Sequence, residues 1–288
     1  MIDVVVLNYN DYETTKCFIE TIHDYQIINK IVIVDNNSTD DSFSVLSKLN
    51  DAKVITIKTD KNGGYGAGNN FGIKYLEDNS SSEFILLSNP DVIITEEAII
   101  KCFEFLKNHS DYALCAPFMS DKNGIKQYNS AFKIPSKIKY IMSFGLLFSK
   151  LFKVSFYKNL ENIQDEYKTV DGLSGSCFMM NKQIMLEHGM FDEKIFLYCE
   201  EIILGFKMKQ ANKKLALLPN TTFIHNHSVS ISKSYKTRVK RHKLLVKSKL
   251  YVIRHYYKAK FFGRIFAWIM ANISIVETWL SAIIKRNN

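Results

Sequence analysis

Short apolar runs alternate with helix-like patterns through the first hundred residues of the chain. The apolar runs cover residues 4–7, 31–34, 54–57 and 84–88, and helical patterns follow them near 14–23, 41–49, 69–76 and 96–107. Continuous apolar runs of this length are typical of strands that are covered on both faces. Regular alternation of strand and helix implies right-handed crossovers. The pattern predicts an α/β, Rossmann-like fold, with helices flanking a mostly parallel central sheet.

The fourth apolar run is followed directly by Asn89, Pro90 and Asp91. A central strand cannot continue through proline, so the strand is expected to end before Asp91. Ligands of open α/β sheets bind beyond the carboxyl ends of the strands, and Asp91 would lie there. The same three residues are also typical of an ordinary turn, and this stretch alone does not separate the two interpretations.

All four predicted strands end in small polar residues. The clusters are Asn8 with Asn10, Asp35 with Asn37, Asp60 with Asn62, and Asn89 with Asp91. Because parallel strands bring their carboxyl ends to one edge of a sheet, these side chains are expected close together. One polar loop means little, but four at one edge favour a nucleotide-type pocket.

A glycine-rich segment, residues 63–68, opens the third predicted helix. It does not match G-x-G-x-x-G, because Phe71 occupies the last glycine position, and it lacks the spacing of a Walker lysine. These departures argue against a dinucleotide fingerprint or a P-loop. Gly63 and Gly64 would still let a ligand approach the backbone and the N–H groups of the helix, and a plain flexible turn is the alternative.

The second half of the chain carries two further groups of candidate side chains. Glu200 and Glu201 stand at the start of a predicted helix, where acids often only complement the helix dipole. Adjacent helical residues point in different directions, so one acid could face a pocket while the other bonds to backbone. His225 and His227 alternate along a predicted strand, which suits either a metal site or a structural role.

The remaining patterns of this half are less regular. Strands are predicted near 113–117, 177–180 and 215–218, a hairpin turn at 121–124, and a helix over 182–188 that ends at Gly189. Residues 138–156 are rich in Phe, Leu, Ile and Lys. They are interpreted as a helix that packs on the core or as an apolar loop near a lipid substrate.

The net charge of +9 is distributed unevenly along the chain. Residues 1–201 hold 20 Lys/Arg against 28 Asp/Glu, whereas residues 202–288 hold 18 Lys/Arg against one acid, Glu277. A basic tail on an acidic body indicates an anionic partner for the tail, either membrane lipid or nucleic acid. The 12 Lys/Arg and no acids between residues 233 and 264 are interleaved with Leu, Tyr and Phe, which predicts a basic amphipathic helix.

The segment after this basic stretch, residues 265–276, is uncharged but only 12 residues long, and we expect it to be too short to cross a bilayer alone. The tail is therefore predicted to lie in the headgroup region of an anionic membrane. A helix packed on the rest of the chain is the first alternative. A nucleic-acid partner is the least favoured, since no recognised nucleic-acid module accompanies the basic residues, and none is expected.

The cysteines and the beginning of the chain indicate the compartment. None of the five cysteines forms a Cys-x-x-Cys pair, so we interpret them as reduced, mostly buried thiols of a cytosolic protein. No basic and then apolar segment precedes the first strand, so no secretory signal is expected.

In their order along the chain, these motifs resemble glycosyltransferase family 2, the inverting enzymes of the GT-A fold. The resemblance covers about residues 1–230 and is nearest to the bacterial rhamnosyltransferases and galactofuranosyltransferases that build O-antigen, capsule or cell-wall glycans. It rests on Val-Val-Leu-Asn-Tyr-Asn, Ile-Val-Asp-Asn-Asn-Ser-Thr-Asp-Asp-Ser, Asn-Gly-Gly-Tyr-Gly-Ala-Gly-Asn-Asn-Phe-Gly, Leu-Ser-Asn-Pro-Asp and Phe-Asp-Glu, followed by Phe-Leu-Tyr, the acidic pair and His225.

The resemblance implies a role for each matching residue. Asp35 would contact the nucleotide base, and residues 62–69 would line the base and ribose. Asp91 and His225 would hold Mg²⁺ or Mn²⁺ on the donor diphosphate, and Glu201 would be the catalytic base, with Glu200 as a substitute. The implied nucleotide-sugar-binding residues are Asn8, Asn10, Asp35, Asn37, Asp60, Asn62, Gly63, Gly64, Asn69, Asn89 and Gly175.

The chain departs from the family pattern at several of these places. Asn89 replaces the first acid of the usual Asp-x-Asp, and Glu201 stands where Asp is usual. Ile203 and Lys207 replace an Asp and an Arg, and Ser228 replaces a Gly after the histidine. None of these changes removes the implied base or metal ligand.

The function implied is that of a metal-dependent, inverting glycosyltransferase, cytoplasmic and peripheral at the inner face of the cell membrane. The leading donor is dTDP-L-rhamnose, followed by a UDP-sugar such as UDP-galactofuranose, and the acceptor is a polyprenyl-diphosphate-linked or oligosaccharide glycan. The catalytic domain is placed at 1–230, with halves at about 1–118 and 119–230, and the tail at 231–288. A catalytically idle nucleotide-sugar-binding partner in a glycan assembly complex is the alternative of another class.

Overall fold

The computed structural model of the chain describes residues 1–145, 157, 160, 163–226 and 237–287. Its strands are β1 (Ile2–Asn8), β2 (Ile28–Asp35), β3 (Val54–Lys58), β4 (Phe84–Ser88), β5 (Val92–Ile93), β6 (Tyr112–Ser120), β7 (Ala131–Phe132), β8 (Lys168–Val170), β9 (Gly172–Leu173), β10 (Cys177–Asn181) and β11 (Lys214–His225). Its helices are α1 (Tyr12–Ile22), α2 (Ser42–Leu46), α3 (Tyr65–Asn79), α4 (Glu96–Asn108), α5 (Lys137–Met142), α6 (Lys182–Ile184, continued by a π-helical turn over Met185–Gly189), α7 (Glu200–Gln210), α8 (Arg238–His255) and α9 (Phe261–Asn287).

The first four strands lie side by side and run parallel, in the order β3, β2, β1, β4. Their carboxyl ends therefore share one edge, as the polar clusters predicted. Alternate residues of β1 enter two different cores, with Val4 and Val6 on one face and Val5 on the other. Both faces of the strand are covered, which explains why its sequence is continuously apolar. The α/β fold with a mostly parallel sheet is confirmed.

Beyond β4 the sheet continues with strands of mixed direction. β10 is antiparallel to both β4 and β6, whereas β11 is parallel to β6. β11 is longer than the predicted strand at 215–218, because it continues through Pro219 to His225 with a shift of register between Leu218 and Thr222. An irregularity of this kind accommodates a proline that cannot donate to the ladder. The long strand carries His225 to the edge that holds the polar clusters.

Several local predictions for the second half are also confirmed. The hairpin turn closes with a bond of 2.9 Å from Gly124 N to Asp121 O, at a glycine with φ +76°. The helical segment after β10 ends at Gly189. Of residues 138–156, the described part packs on a core through Tyr140, Ile141 and Phe144, and residues 146–156 lie outside the described residues.

The tail packs on the rest of the chain. Val246, Val252 and Ile253 of α8 are buried in one cluster with Ile202 and Ile203 of α7. Tyr251 and Tyr256 both donate to Asp192 Oδ2, each at 2.8 Å, and Ser248 Oγ donates to Leu197 O at 2.7 Å. These contacts correspond to the first alternative for the tail, a helix packed on the body of the protein, and they leave its outer surface available.

The last helix is longer than the uncharged segment suggested. Phe261–Ile283 is a continuous helical stretch of 23 residues with a mean hydropathy of 1.4, which by length and composition is enough to cross a membrane. The prediction that this region is too short was wrong, because the helix runs on past Arg264 and Glu277 on either side of the uncharged residues. Its large apolar side chains point outward, as in Phe262 and Trp268, which are 82% and 61% exposed.

Candidate active site

The ends of β1 and β2 are joined by a buried network around Asp35. Asn8 Nδ2 donates to Asp35 Oδ1 at 3.0 Å, and Ser38 N donates to Asp35 Oδ2 at 3.1 Å. Asn8 Oδ1 in turn accepts from Thr15 Oγ1 at 2.9 Å. Asp35 is fully buried, so both of its oxygens are engaged by groups of the fold itself. These hydrogen bonds join the ends of β1 and β2, and the network fixes the geometry of the edge.

The neighbouring loops are held in place by amide side chains. Asn36 Nδ2 donates to Asn62 Oδ1 and to Gly64 O, both at 3.1 Å. Asn37 Nδ2 donates to the backbone oxygen of Asp60 at 3.2 Å, while the side chain of Asp60 is exposed. The loops after β2 and β3 therefore form one surface, with Asn36 at its centre.

The glycine segment packs directly against the loop that precedes α7. Gly64 has φ +89°, and a Cβ placed on it would lie 1.9 Å from Phe196 O. The next residue donates its backbone N–H to that same oxygen, with Tyr65 N 3.0 Å from Phe196 O. A side chain at position 64 would push the two loops apart, so glycine is needed here for close packing as well as for its backbone conformation.

Tyr65 connects the glycine segment to the acidic pair. Its hydroxyl donates to Gly175 O at 2.6 Å, and a Cβ on Gly175 would lie 2.7 Å from Glu201 Oε1. Burial and the nearby carboxylates of Glu201 and Glu200 raise the pKa of Tyr65 well above its usual range. The tyrosine is therefore a neutral donor that holds Gly175 against the carboxylate of Glu201.

The two acids occupy different environments at the start of α7. Tyr198 and Cys199 both have positive φ, 72° and 73°, and this tight turn leads straight into the helix. Glu200 is buried, and its Oε1 has no hydrogen-bond partner among the described residues. Burial, with the adjacent charge of Glu201, raises the pKa of Glu200 to about 8. The buried acid is thus largely neutral near pH 7.

Glu201 is the acid that reaches solvent. Its side chain is half-buried and lies against Gly175. Burial raises the pKa of Glu201, while hydrogen bonds from the backbone of Glu201 itself and of Gly175 act in the opposite direction. A carboxylate whose pKa is moved toward neutrality, and which remains accessible, has the properties of a proton acceptor in catalysis.

Asp91 lies on the same rim, at the end of β4. Its Oδ1 is 3.1 Å from His225 Nε2, and its backbone oxygen accepts from Asn226 N at 3.0 Å. Asn89 N donates to Ser176 O at 2.8 Å, next to the glycine that contacts Glu201. The predicted partner His227 lies outside the described residues. Backbone pairing therefore brings the end of β4 and the start of α7 to one side of the sheet.

Burial divides the predicted site residues into two groups. Asn8, Asp35, Gly64, Asn69, Gly175 and Glu200 are buried, whereas Asn10, Asn37, Asn62, Gly63, Asn89, Asp91, Glu201 and His225 are partly accessible and Asp60 is exposed. Asn69 is used within its own helix, where its Nδ2 donates to Tyr65 O at 3.0 Å. The accessible group can contact a ligand, and the buried group can shape the surface that does so.

Comparison with known proteins identifies the family. Residues 3–189 match the family profile described as Glycosyl transferase family 2. The chain belongs to glycosyl transferase family 2. The match ends before α7, so Glu201 and His225 stand outside the residues that establish membership.

Curated relatives of this family 2 chain include three similar glycosyltransferases. Low-salt glycan biosynthesis hexosyltransferase Agl10 of Haloferax volcanii is 26% identical over 79% of this chain and 68% of its own length. Rhamnosyltransferase WbbL of Escherichia coli is 24% identical over 78% of this chain and 83% of its own. The N-acetylglucosaminyl-diphospho-decaprenol L-rhamnosyltransferase of Mycobacterium tuberculosis is 24% identical over 74% of this chain and 71% of its own.

Solved structures share the GT-A-like fold. GalNAc-T7, solved with UDP, GalNAc and Mn²⁺, superposes with a TM-score of 0.60 at 12% identity over 95% of this chain. The mannosyltransferase PcManGT of Pyrobaculum calidifontis, solved with GDP-Man and Mn²⁺, gives 0.59 at 11% identity over 95% of this chain. This chain spans 56% of the GalNAc-T7 chain and 69% of the PcManGT chain, so these likenesses concern the fold.

The donor set at Asp91 fits a divalent cation that is shared with a substrate. Within the described residues no group of three or more His, Cys, Asp or Glu could hold a metal by itself. Asp91 and His225 provide one carboxylate and one imidazole side by side. Mg²⁺ is commonly bound through one or two carboxylates together with substrate phosphates, so two protein ligands are enough for this kind of site.

The side-chain contacts of two residues of this family 2 site were not predicted from the sequence. Tyr65 lies between glycines of the glycine-rich segment. The motif predicted a role for the backbone of this segment and none for the side chain of Tyr65. Asn36 lies between Asp35 and Asn37, and its amide donates to Asn62 and Gly64 of the loop after β3, 26 and 28 residues away. Both contacts depend on the pairing of distant segments, which local patterns do not reveal.

Proposed function

We propose that this family 2 chain is a metal-dependent glycosyltransferase that transfers a sugar with inversion from a nucleoside diphosphate sugar to a glycan acceptor. The observation that carries the proposal is the accessible Glu201, which shares one rim of the sheet with Asp91 through Gly175, Ser176 and Asn89. Glycosyl transfer by direct displacement needs one group to stabilise the departing diphosphate and another to accept the proton of the acceptor hydroxyl. The two acids are assigned to these two tasks.

Glu201 is assigned as the general base. Its accessible carboxylate can take the proton of an acceptor hydroxyl as that oxygen attacks the anomeric carbon, and attack opposite the leaving group inverts this centre. The backbone hydrogen bonds at Gly175 and Glu201 hold the carboxylate in position. Glu200 is the less suitable base of the pair, because it is buried and its burial raises its pKa to about 8.

Asp91 and His225 are assigned to hold Mg²⁺ or Mn²⁺. When bound, such an ion would supply Lewis-acid stabilisation to the departing diphosphate. The position of Asp91 one residue past the proline that ends β4 leaves its carboxylate at the accessible edge of the sheet. Support from other proteins comes from the Mn²⁺ present in the GalNAc-T7 and PcManGT structures.

The leading donor is dTDP-L-rhamnose. Two of the relatives are named as rhamnosyltransferases, and the mycobacterial one is named for a diphospho-decaprenol acceptor. A UDP-sugar is the second choice, since UDP is present in the structure of GalNAc-T7. We assign the acceptor to the class of lipid-diphosphate-linked glycans of bacterial surface-polysaccharide synthesis.

A transfer assay tests the proposal. Purified full-length protein is incubated with dTDP-L-rhamnose and a panel of UDP-sugars, with and without Mn²⁺, and donor hydrolysis and transfer to a lipid-diphosphate-linked acceptor are measured. Metal-dependent consumption of one donor is expected. Donor binding without hydrolysis or transfer under any of these conditions would instead support a catalytically idle nucleotide-sugar-binding partner.

We also assign the protein to the cytoplasmic face of an anionic membrane. The face of α9 that packs inward holds small or polar residues such as Ala271, Ser274 and Thr278, whereas the outward face presents Phe262 and Trp268. An amphipathic helix with its large apolar side chains outside is suited to lipid, and the basic residues of α8 favour anionic headgroups.

Flotation with vesicles tests this location. Phosphatidylglycerol vesicles are expected to retain wild-type protein, and the double variant Phe262→Ser with Trp268→Ser is expected to lose most of that retention. The double variant Phe71→Ser with Ile138→Ser, which removes exposed apolar side chains elsewhere, is the matched control and should float like wild type. Wild-type protein that stays at the bottom of the gradient would contradict the assignment.

A further inference from the structure

A basic cleft of about 290 Å³ lies between α8 and the loop over residues 194–196. Lys194, Lys247, Arg254 and His255 line it, together with apolar and aromatic side chains that include Phe196. None of the described residues that line this cleft is acidic. The cleft thus combines an apolar wall with four groups that can donate hydrogen bonds to an anion.

The cleft residues of α8 form one stripe on the helix. Lys247, Tyr251 and Arg254 are spaced by four and three residues, so their side chains lie on the same face. Seven residues at about 1.5 Å each separate the Lys247 and Arg254 backbones by roughly 10 Å along the axis. Side chains of this length can converge on a single ligand that carries more than one phosphate.

Three basic side chains of the cleft have no polar partner in the described part of the chain. The side chains of Lys194, Lys247 and Arg254 form no hydrogen bond or ion pair there. Two acids precede Lys194. Asp192 Oδ2 accepts from Tyr251 and Tyr256 and its Oδ1 accepts from the backbone N–H of Lys194, while Glu193 Oε1 accepts from Asn70 Nδ2 at 2.9 Å. The ammonium and guanidinium groups of Lys194, Lys247 and Arg254 are therefore available to an anionic ligand.

One wall of the cleft is the segment that connects the glycine loop to the proposed base. Phe196 O accepts from Tyr65 N, and Leu197 O accepts from Ser248 Oγ of α8. Glu200 and Glu201 begin α7 only a few residues later. This wall of the cleft is therefore only a few residues away in sequence from Glu201, the carboxylate assigned to deprotonate the acceptor.

We propose that this cleft binds the diphosphate of the lipid-linked acceptor, with Lys247 and Arg254 as its principal contacts. The inference rests on the proposed function and adds the place where the acceptor is held. Arginine binds phosphate oxygens through two parallel N–H groups, and several cations around one cleft favour a diphosphate over a singly charged headgroup. The exposed Phe261 and Phe262 follow His255 after a short turn and offer an apolar surface for the lipid chain.

Calorimetric titration of the full chain with farnesyl diphosphate tests the assignment. The double variant Lys247→Ala with Arg254→Ala is expected to bind this probe about tenfold or more weakly, because it removes charge-assisted hydrogen bonds. Lys240→Ala with Lys243→Ala removes the same charge from exposed positions of α8 outside the cleft and should change the affinity less than about twofold. Thermal unfolding of both variants checks that the fold is retained.

Three results would overturn the inference. They are wild-type protein that does not bind farnesyl diphosphate, equal losses in the two double variants, and a cleft variant that keeps the probe but no longer binds phosphatidylglycerol vesicles. The last result would assign the cleft to a lipid headgroup. Titration of wild-type protein with the nucleoside diphosphate sugar separates this failure from failure of the proposed function, because the donor is assigned to the edge of the sheet and not to the cleft.

Discussion

Asp35 and the acidic pair of α7 stand at the same edge of the sheet and differ in the hydrogen bonds that their carboxylates accept. Asp35 is fully buried, and each of its oxygens accepts a hydrogen bond from a group of the fold. At the start of α7, Glu200 is buried with an oxygen that has no partner among the described residues, and Glu201 is half-buried with a raised pKa. A carboxylate that is fully buried and hydrogen-bonded through both oxygens stabilises the fold, whereas a half-buried one with a raised pKa can still take up a proton from a substrate.

The largest effect is expected at Glu201. Replacement by Gln keeps the size of the side chain but removes its ability to accept a proton. The turnover number of Glu201→Gln should fall by about 10²–10⁴-fold, the usual contribution of a general base, while donor affinity changes little. Glu104→Gln, at an exposed position of α4, is the control in the same transfer assay. A Glu201→Gln variant that retains full turnover would remove this residue from the role.

A pH-dependent effect on stability is expected at Glu200. Its pKa of about 8 lies above that of an unfolded glutamate, so between about pH 4.5 and pH 8 the folded state binds more protons than the unfolded state. The unfolding free energy of wild type should therefore decrease as pH rises through this window, relative to Glu200→Gln, by at most about 1.4 kcal/mol per pH unit. Urea unfolding of both proteins at pH 5, 6.5 and 8 measures the difference, and a constant difference would disprove the account of Glu200.

A moderate loss of stability with little loss of chemistry is expected at Asp35. Asp35→Asn replaces one acceptor oxygen by an NH₂ group, which leaves the N–H of Ser38 or the amide of Asn8 without its partner. The unfolding free energy should drop by about 1–3 kcal/mol. Asp60→Asn is the matched control and should change stability by less than about 0.5 kcal/mol. The side chain of Asp60 is exposed, and in the described part of the chain only its backbone oxygen accepts a hydrogen bond. Equal effects in urea unfolding would remove the contrast between the two groups of acids.

The smallest effect is expected at Asp91, whose carboxylate has His225 beside it. Asp91→Ala should weaken Mn²⁺-dependent binding of the nucleoside diphosphate by about tenfold, with binding in the absence of metal unchanged. Titration of the nucleotide with and without Mn²⁺ gives both values. Asp78→Ala, at an exposed position of α3, should behave as wild type. Superimposable curves for wild type and Asp91→Ala would contradict the assigned metal ligand.

The sheet edge could be predicted from sequence because its signals are local. Each apolar run marks a strand, Pro90 marks the end of β4, and parallel pairing then places Asn8, Asp35 and Asp91 at one edge. The acidic pair could be found for the same reason, since two acids at a helix start are visible in the sequence. Family membership and the α/β fold are confirmed, and the roles of the individual site residues remain predictions.

The contacts that make the edge a site could not be predicted, because they join segments far apart in the chain. Gly64 meets Phe196 across more than 130 residues, and Tyr65 reaches Gly175 across 110. The accessible fraction of Glu201 and the buried state of Glu200 depend on these contacts. The packing of α8 on α7 was only the first alternative from the sequence, since a basic amphipathic pattern favoured a position in the headgroup region of a membrane.

The most direct test of the central claim is a crystal structure of the Glu201→Gln variant with a nucleoside diphosphate sugar and Mn²⁺. The account predicts the metal on Asp91, the donor along the edge formed by the ends of β1 to β4, and the side chain of residue 201 facing the same cavity as the anomeric carbon. A donor bound elsewhere, or a residue 201 side chain separated from the sugar by the sheet, would contradict it.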